Sequence, residues 1–103
     1  MATITKDVPV TVVDGQIFAE DVDIPDVGTG DRVIVTWSGD GVLLTGITGL
    51  PSNVRISGPD PLNQITGTYF SPSSEDTWNY TILGTIEGQS VSHDPKIHNT
   101  TPT

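Results

Sequence analysis

Ser92-His93-Asp94 sets the three residue types of a hydrolase relay side by side. A relay requires hydroxyl, imidazole and carboxylate to converge in space. Neighbours along an extended segment point in opposite directions, so these three cannot pass a proton among themselves. No G-x-S-x-G turn, the strained setting of an esterase nucleophile, accompanies them. His93, Asp94 and His98 are also metal-ligand types. Their spacing matches no helical face and no second cluster supports it. A solvated tail is the expectation for these residues, with contact to a neighbouring subunit as the functional role if the histidines have one.

Asp21, Asp23, Asp26 and Asp31 form the densest acidic region. Carboxylates at alternate strand positions, together with loop carbonyls, are hard oxygen ligands, so these four are the candidate Ca2+ ligands. The EF-hand spacing is absent, and acidic loop ends also serve solubility. No cofactor is expected, with Ca2+ as the weaker alternative. Paired carboxylates hydrolyse glycosides when one is buried in a cleft with a raised pKa. Acids placed in turns of a 103-residue chain offer no such cleft. A non-enzymatic chain is therefore expected. Asn79-Tyr80-Thr81 and Asn99-Thr100-Thr101 match the glycosylation acceptor pattern, which is uninformative without a signal peptide.

The elements that must hold these residues are strands. In residues 77–87, Trp78, Tyr80, Ile82, Gly84 and Ile86 share one phase of an extended backbone. Asn79, Thr81, Leu83, Thr85 and Glu87 take the other. Only a period of two sorts them so cleanly, and it predicts one long strand with its apolar face on a core. That phase puts Trp78 in the core with Trp37 and Tyr80 rather than in a sugar-binding platform with Tyr69. Leu83 and Phe70 fall out of phase with their strands' inner faces, which makes them interface candidates.

Further strands are predicted over 8–13, 16–24, 32–38, 42–45, 53–57, 62–70 and 90–92. Pro9 lacks a ladder donor and argues for an edge position. Asp14-Gly15 is a hairpin turn dipeptide. Residues 1–7 and 93–103 are polar and read as an N-terminal arm and a C-terminal extended tail around a domain over 8–92. Ile4 and Ile97 are the apolar anchors those arms would dock.

Composition narrows the partners. Four basic residues face 13 acidic ones, a net charge of −9. Phosphate backbones and anionic membrane surfaces both need a basic patch, so neither nucleic acid nor membrane is expected. Absence of Cys excludes disulfides and thiolate chemistry. The 11 Gly and 8 Pro favour short strands and tight turns over helices.

Seven to eight short strands with turn signals every ~8–12 residues are the pattern of an immunoglobulin-like antiparallel β-sandwich. With Trp37 on an early strand and Trp78 and Tyr80 on a late one, the chain resembles the immunoglobulin-like or fibronectin type III-like modules of phage virion and bacterial surface proteins. The resemblance is architectural and covers residues 8–92. The N-terminus has no apolar leader segment, so a lone sandwich made in the host cytoplasm and carried on a virion is the expectation. The resemblance then implies a capsid decoration or virion accessory protein that binds a preformed lattice or its own copies. The alternative is a cell-surface adhesion or carbohydrate-binding module, Ca2+-dependent in one version.

Overall fold

The computed structural model describes residues 3–24, 30–51, 53–70 and 76–99. The strands are β1 (Thr3–Val13), β2 (Gln16–Phe18), β3 (Val22–Ile24), β4 (Arg32–Gly39), β5 (Leu43–Thr48) and β6 (Arg55–Ser57). They continue with β7 (Gln64–Phe70), β8 (Asp76–Asn79), β9 (Thr81–Ile86), β10 (Gln89–His93) and β11 (Lys96–Asn99). Among the described residues there is no helix. The all-β sandwich is as expected, built from about 11 strands rather than seven to eight.

One layer is a five-stranded sheet in the order β2-β1-β4-β7-β6. Facing it are two three-stranded sheets, β10-β9-β5 and β3-β11-β8. Val8, Val10, Val33, Val35, Trp37, Ile65 and Tyr69 enter the core from the first layer. Leu44, Ile82, Val22, Ile24 and Ile97 meet them from the other two sheets. The β4/β7 pair sets this up, with Val33 opposite Tyr69 and Trp37 opposite Ile65. Opposite Val35 stands Gly67, where a β-carbon would sit 3.1 Å from the Trp37 ring. The missing side chain is thus the space that the indole fills.

Two of the extra strands arise where predicted strands change sheets, and the third is β11. The predicted strand over 77–87 breaks at Tyr80, whose N–H donates to the Pro95 carbonyl at 3.2 Å. Before the break the chain belongs with β11, and after it with β5 and β10. The predicted strand over 16–24 divides likewise into β2 and β3, which lie in different sheets. A period of two survives such a switch because the inner face stays inner, so alternation alone does not reveal it.

The ladders are also mixed rather than purely antiparallel. β1 runs parallel to β4 from Thr3 opposite Arg32 to Val10 opposite Gly39. β11 runs parallel to β3 and antiparallel to β8. Residues 3–7 therefore lie in a strand, and so do residues 96–99, although both were expected as arms. Backbone pairing supplies what their polar side chains do not advertise. Asp14 and Gly15, with φ of 52° and 77°, form the expected hairpin turn between β1 and β2.

Candidate interaction surface

Three kinds of feature were singled out from the sequence, and the structure separates them. Ser92 is exposed, His93 Nε2 lies 3.1 Å from the Ala19 carbonyl, and Asp94 accepts a 2.8 Å hydrogen bond from Thr81 Oγ1. His93 is tied to the β2–β3 connection and Asp94 to β9, and the three do not converge. His98 Nδ1 stands 3.6 Å from Asp23 Oδ1 on the neighbouring strand.

The acidic residues are similarly dispersed. Asp21 Oδ1 accepts from the Lys96 N–H at 2.9 Å, which starts β11 alongside β3. Asp23 faces His98, and Asp26 lies outside the described residues. Asp31 is half-buried ahead of β4. Among the described residues no three His, Cys, Asp or Glu side chains come together as a metal site.

The aromatic residues divide between core and rim. Trp37 Nε1 donates to the Tyr80 hydroxyl at 2.9 Å, with ring centroids 5.4 Å apart. Burial is the main cause that pushes the Tyr80 hydroxyl up to about 12; the Trp37 hydrogen bond opposes the shift, and the nearby Asp21 charge adds to it. Trp78 is only half-buried and packs edge-on against Tyr69 at 5.6 Å. Its strand phase is as predicted, but it sits at the core's margin, not its centre.

Of the four interface candidates, Phe70 stands at the end of β7 with 63% of its surface exposed. Ile4 and Leu83 are half-buried, Ile4 against the core. Ile97 is inside the chain's own core at 1% exposure. It was expected to dock elsewhere; pairing of β11 on both sides draws it inward.

Phe70 belongs to the outer face of the five-stranded sheet, and the registers lay that face out in rows. Phe70 is opposite Arg32, which is opposite Thr3. The next row is Thr5, Ile34, Thr68 and Arg55, and the one after it Asp7, Thr36, Thr66 and Ser57. The result is a hydroxyl-rich face that also carries Arg32, Arg55 and Ile34, with an aromatic at one corner.

This face ends at an edge the sequence reading left unresolved. The Val10 carbonyl accepts from the Asp40 N–H at 2.8 Å, which fixes the phase of the parallel ladder. Even-numbered residues of β1 direct their backbone groups to β4, and Thr5, Asp7 and Pro9 direct theirs away. β2 covers only Thr11, Val12 and Val13, and none of the described residues pairs with the edge before them. Pro9, lacking an N–H, falls on the unpaired side as expected of an edge position. Beside this edge runs a groove of about 430 Å3, lined by Lys6, Asp7, Val8, Pro9 and Thr11 of β1 and by Phe18, Glu20, Asp21 and Val22.

Comparison with known proteins adds the fold. No protein-family model matches the chain, and no curated protein matches it. Among solved structures it is similar to the titin M3 domain, with 16% sequence identity and a TM-score of 0.51, over 79% of this chain and 92% of that one. That likeness concerns architecture, and with the strand layout it identifies the chain as an all-β sandwich of the immunoglobulin-like kind.

Proposed function

We propose that the chain is a non-enzymatic structural protein of a virion, a capsid decoration or accessory protein that binds a preformed protein lattice. The observation that carries this reading is Phe70, a large aromatic left 63% exposed on the outer face of a hydroxyl-rich sheet. Exposed apolar groups rimmed by polar ones suit protein contact. Aromatic anchors of this kind often supply most of an interface's energy. A net charge of −9 keeps free copies apart until a complementary surface is offered. The partners are other protein subunits, with synthesis in the host cytoplasm and final residence on the particle.

The test is cosedimentation with preassembled capsids built from the capsid protein of the same genome. The parent chain should pellet with them, and Phe70→Ser should bind at least about tenfold more weakly, the scale of one anchor residue. Failure of the folded parent to associate contradicts the proposal. One observation favours a second reading as an adhesion or carbohydrate-binding module: Trp78 lies half-exposed against Tyr69. A glycan-array signal that disappears in Trp78→Phe would favour that reading.

A further inference from the structure

We infer that the open edge of β1 is a docking site for an extended, basic peptide segment of a partner protein, which adds to the five-stranded sheet as a further strand. The inference rests on the reading of the domain as a protein-binding module. Three observations carry it. First, Thr5 and Asp7 each turn an N–H and a carbonyl outward, and Pro9 turns a carbonyl, with no strand among the described residues to receive them. Backbone groups in this arrangement supply the hydrogen bonds of strand addition. Secondly, the space beside them is a groove of about 430 Å3 rather than open solvent on a convex surface. Neighbouring strands sit about 4.8 Å apart, so a strand laid on this edge fills that groove.

Thirdly, the groove is predominantly acidic. Asp7, Glu20 and Asp21 line it against the single cation Lys6. Phe18, which packs against the His93 ring, also lines the groove and, 46% exposed, offers an apolar contact there. A strand with alternating basic and apolar side chains matches both features. A second copy of this chain does not, because each copy carries −9 and would bring its own Asp7 towards the same acids. Pro9 and the Lys6/Asp7 pair are also what edge strands use to discourage indiscriminate pairing. The site thus rejects acidic or uncharged strands and admits one whose cations answer the groove, which is specificity by charge.

The probe is a peptide labelled with fluorescein on its N-terminal amine, Thr-Val-Lys-Val-Lys-Val-Thr-amide, with a counterpart in which both lysines are glutamates. Fluorescence polarisation should show the lysine peptide binding at least about tenfold more tightly than the glutamate one, as one or two charge-assisted contacts allow. Thr5→Pro keeps every charge and removes one outward N–H, and it should weaken the lysine peptide at least about tenfold. Unchanged affinity in folded Thr5→Pro, or equal affinity for the two peptides, overturns the inference. If Thr5→Pro fails to fold, amide chemical shifts of the parent decide. Shifts centred on Thr5 and Asp7 support the edge, and shifts centred elsewhere refute it. Should the peptide fail while the parent still pellets with capsids, the inference falls and the lattice reading stands. Should the peptide bind at the edge while capsids do not, the reverse holds.

Discussion

The two ends of the chain meet the sandwich in opposite ways. At the N-terminal end, β1 pairs with β4 along one side, and from Thr3 to Val10 no described residue pairs with its other side. At the C-terminal end, β11 is held on both sides, by β3 and by β8, and sends Ile97 into the core. Residues 3–7 and 96–99 are both polar apart from Ile4 and Ile97, and side-chain hydrophobicity does not distinguish them. Their backbone partners do. A terminal strand flanked on both sides is structural; one flanked on a single side retains hydrogen-bonding groups for something else.

The harshest way to break this comparison is truncation. Removing residues 96–103 leaves β3 and β8 without their shared partner and takes Ile97 from the core. That loss should exceed the marginal stability of a small domain, about 5–15 kcal/mol, and the truncated chain should lack a cooperative melt by circular dichroism. A normal melting transition would mean the C-terminal strand is an appendage. Ile97→Ala is the gentler version and should cost about 2–5 kcal/mol in denaturant titration. The matching change at the other end, Ile4→Ala, should cost about 1 kcal/mol because the residue is only half-buried. Equal costs at Ile4 and Ile97 would erase the distinction.

Tyr80 reports on the sealed end, since it donates to Pro95 just ahead of β11 and feels Asp21, which caps Lys96. Its pKa rises from 10.0 in the unfolded chain to about 12 in the folded one. The folded state therefore holds this proton more tightly. Stability from this group is intact below pH 10.0 and is lost as pH rises from there to about 12. The loss should amount to about 2–3 kcal/mol. Tyr80→Phe should remove that segment of the pH profile. It should also cost about 1–3 kcal/mol at neutral pH, because Trp37 Nε1 then lacks its buried partner. A profile unchanged by Tyr80→Phe would place the titration elsewhere.

The smallest effect sharpens the open end. Lys6→Pro removes an N–H directed at β4 and should destabilise the domain by about 3 kcal/mol. Thr5→Pro, one residue away, removes an outward N–H and should stay within about 0.5 kcal/mol of the parent in chemical denaturation. Similar penalties at the two positions would show that the edge is paired after all.

The sandwich was legible because its centre is regular. Val33, Val35 and Trp37 in β4, and Ile65, Gly67 and Tyr69 in β7, alternate without interruption and fix the inner face. Three things were hidden. The sheet change at Tyr80 preserves phase, so residues 77–87 read as one strand. Residues 96–99 carry a single large apolar side chain, Ile97, and the pairing that recruits them is non-local. Asn63 gave no sequence signal either. It adopts a φ of 62°, accepts from the Leu44 N–H at 2.8 Å and donates to the Val42 carbonyl at 2.7 Å, joining the β6–β7 loop to the β4–β5 turn. Of the candidate surface, Phe70 and the edge character of Pro9 could be read from alternation and from the missing donor. The open span at Thr5 and Asp7 could not, because it depends on where β2 stops.

Site-resolved amide hydrogen exchange of the free protein tests this difference between the chain ends most directly. In β1, Ile4, Lys6 and Val8 should exchange slowly and Thr5 and Asp7 rapidly, an alternation that only a strand bonded on one side produces. In β11, Ile97 and His98 should both be protected, as expected of a strand bonded on two sides. Uniform protection along residues 4–8, or rapid exchange at both Ile97 and His98, would contradict the account.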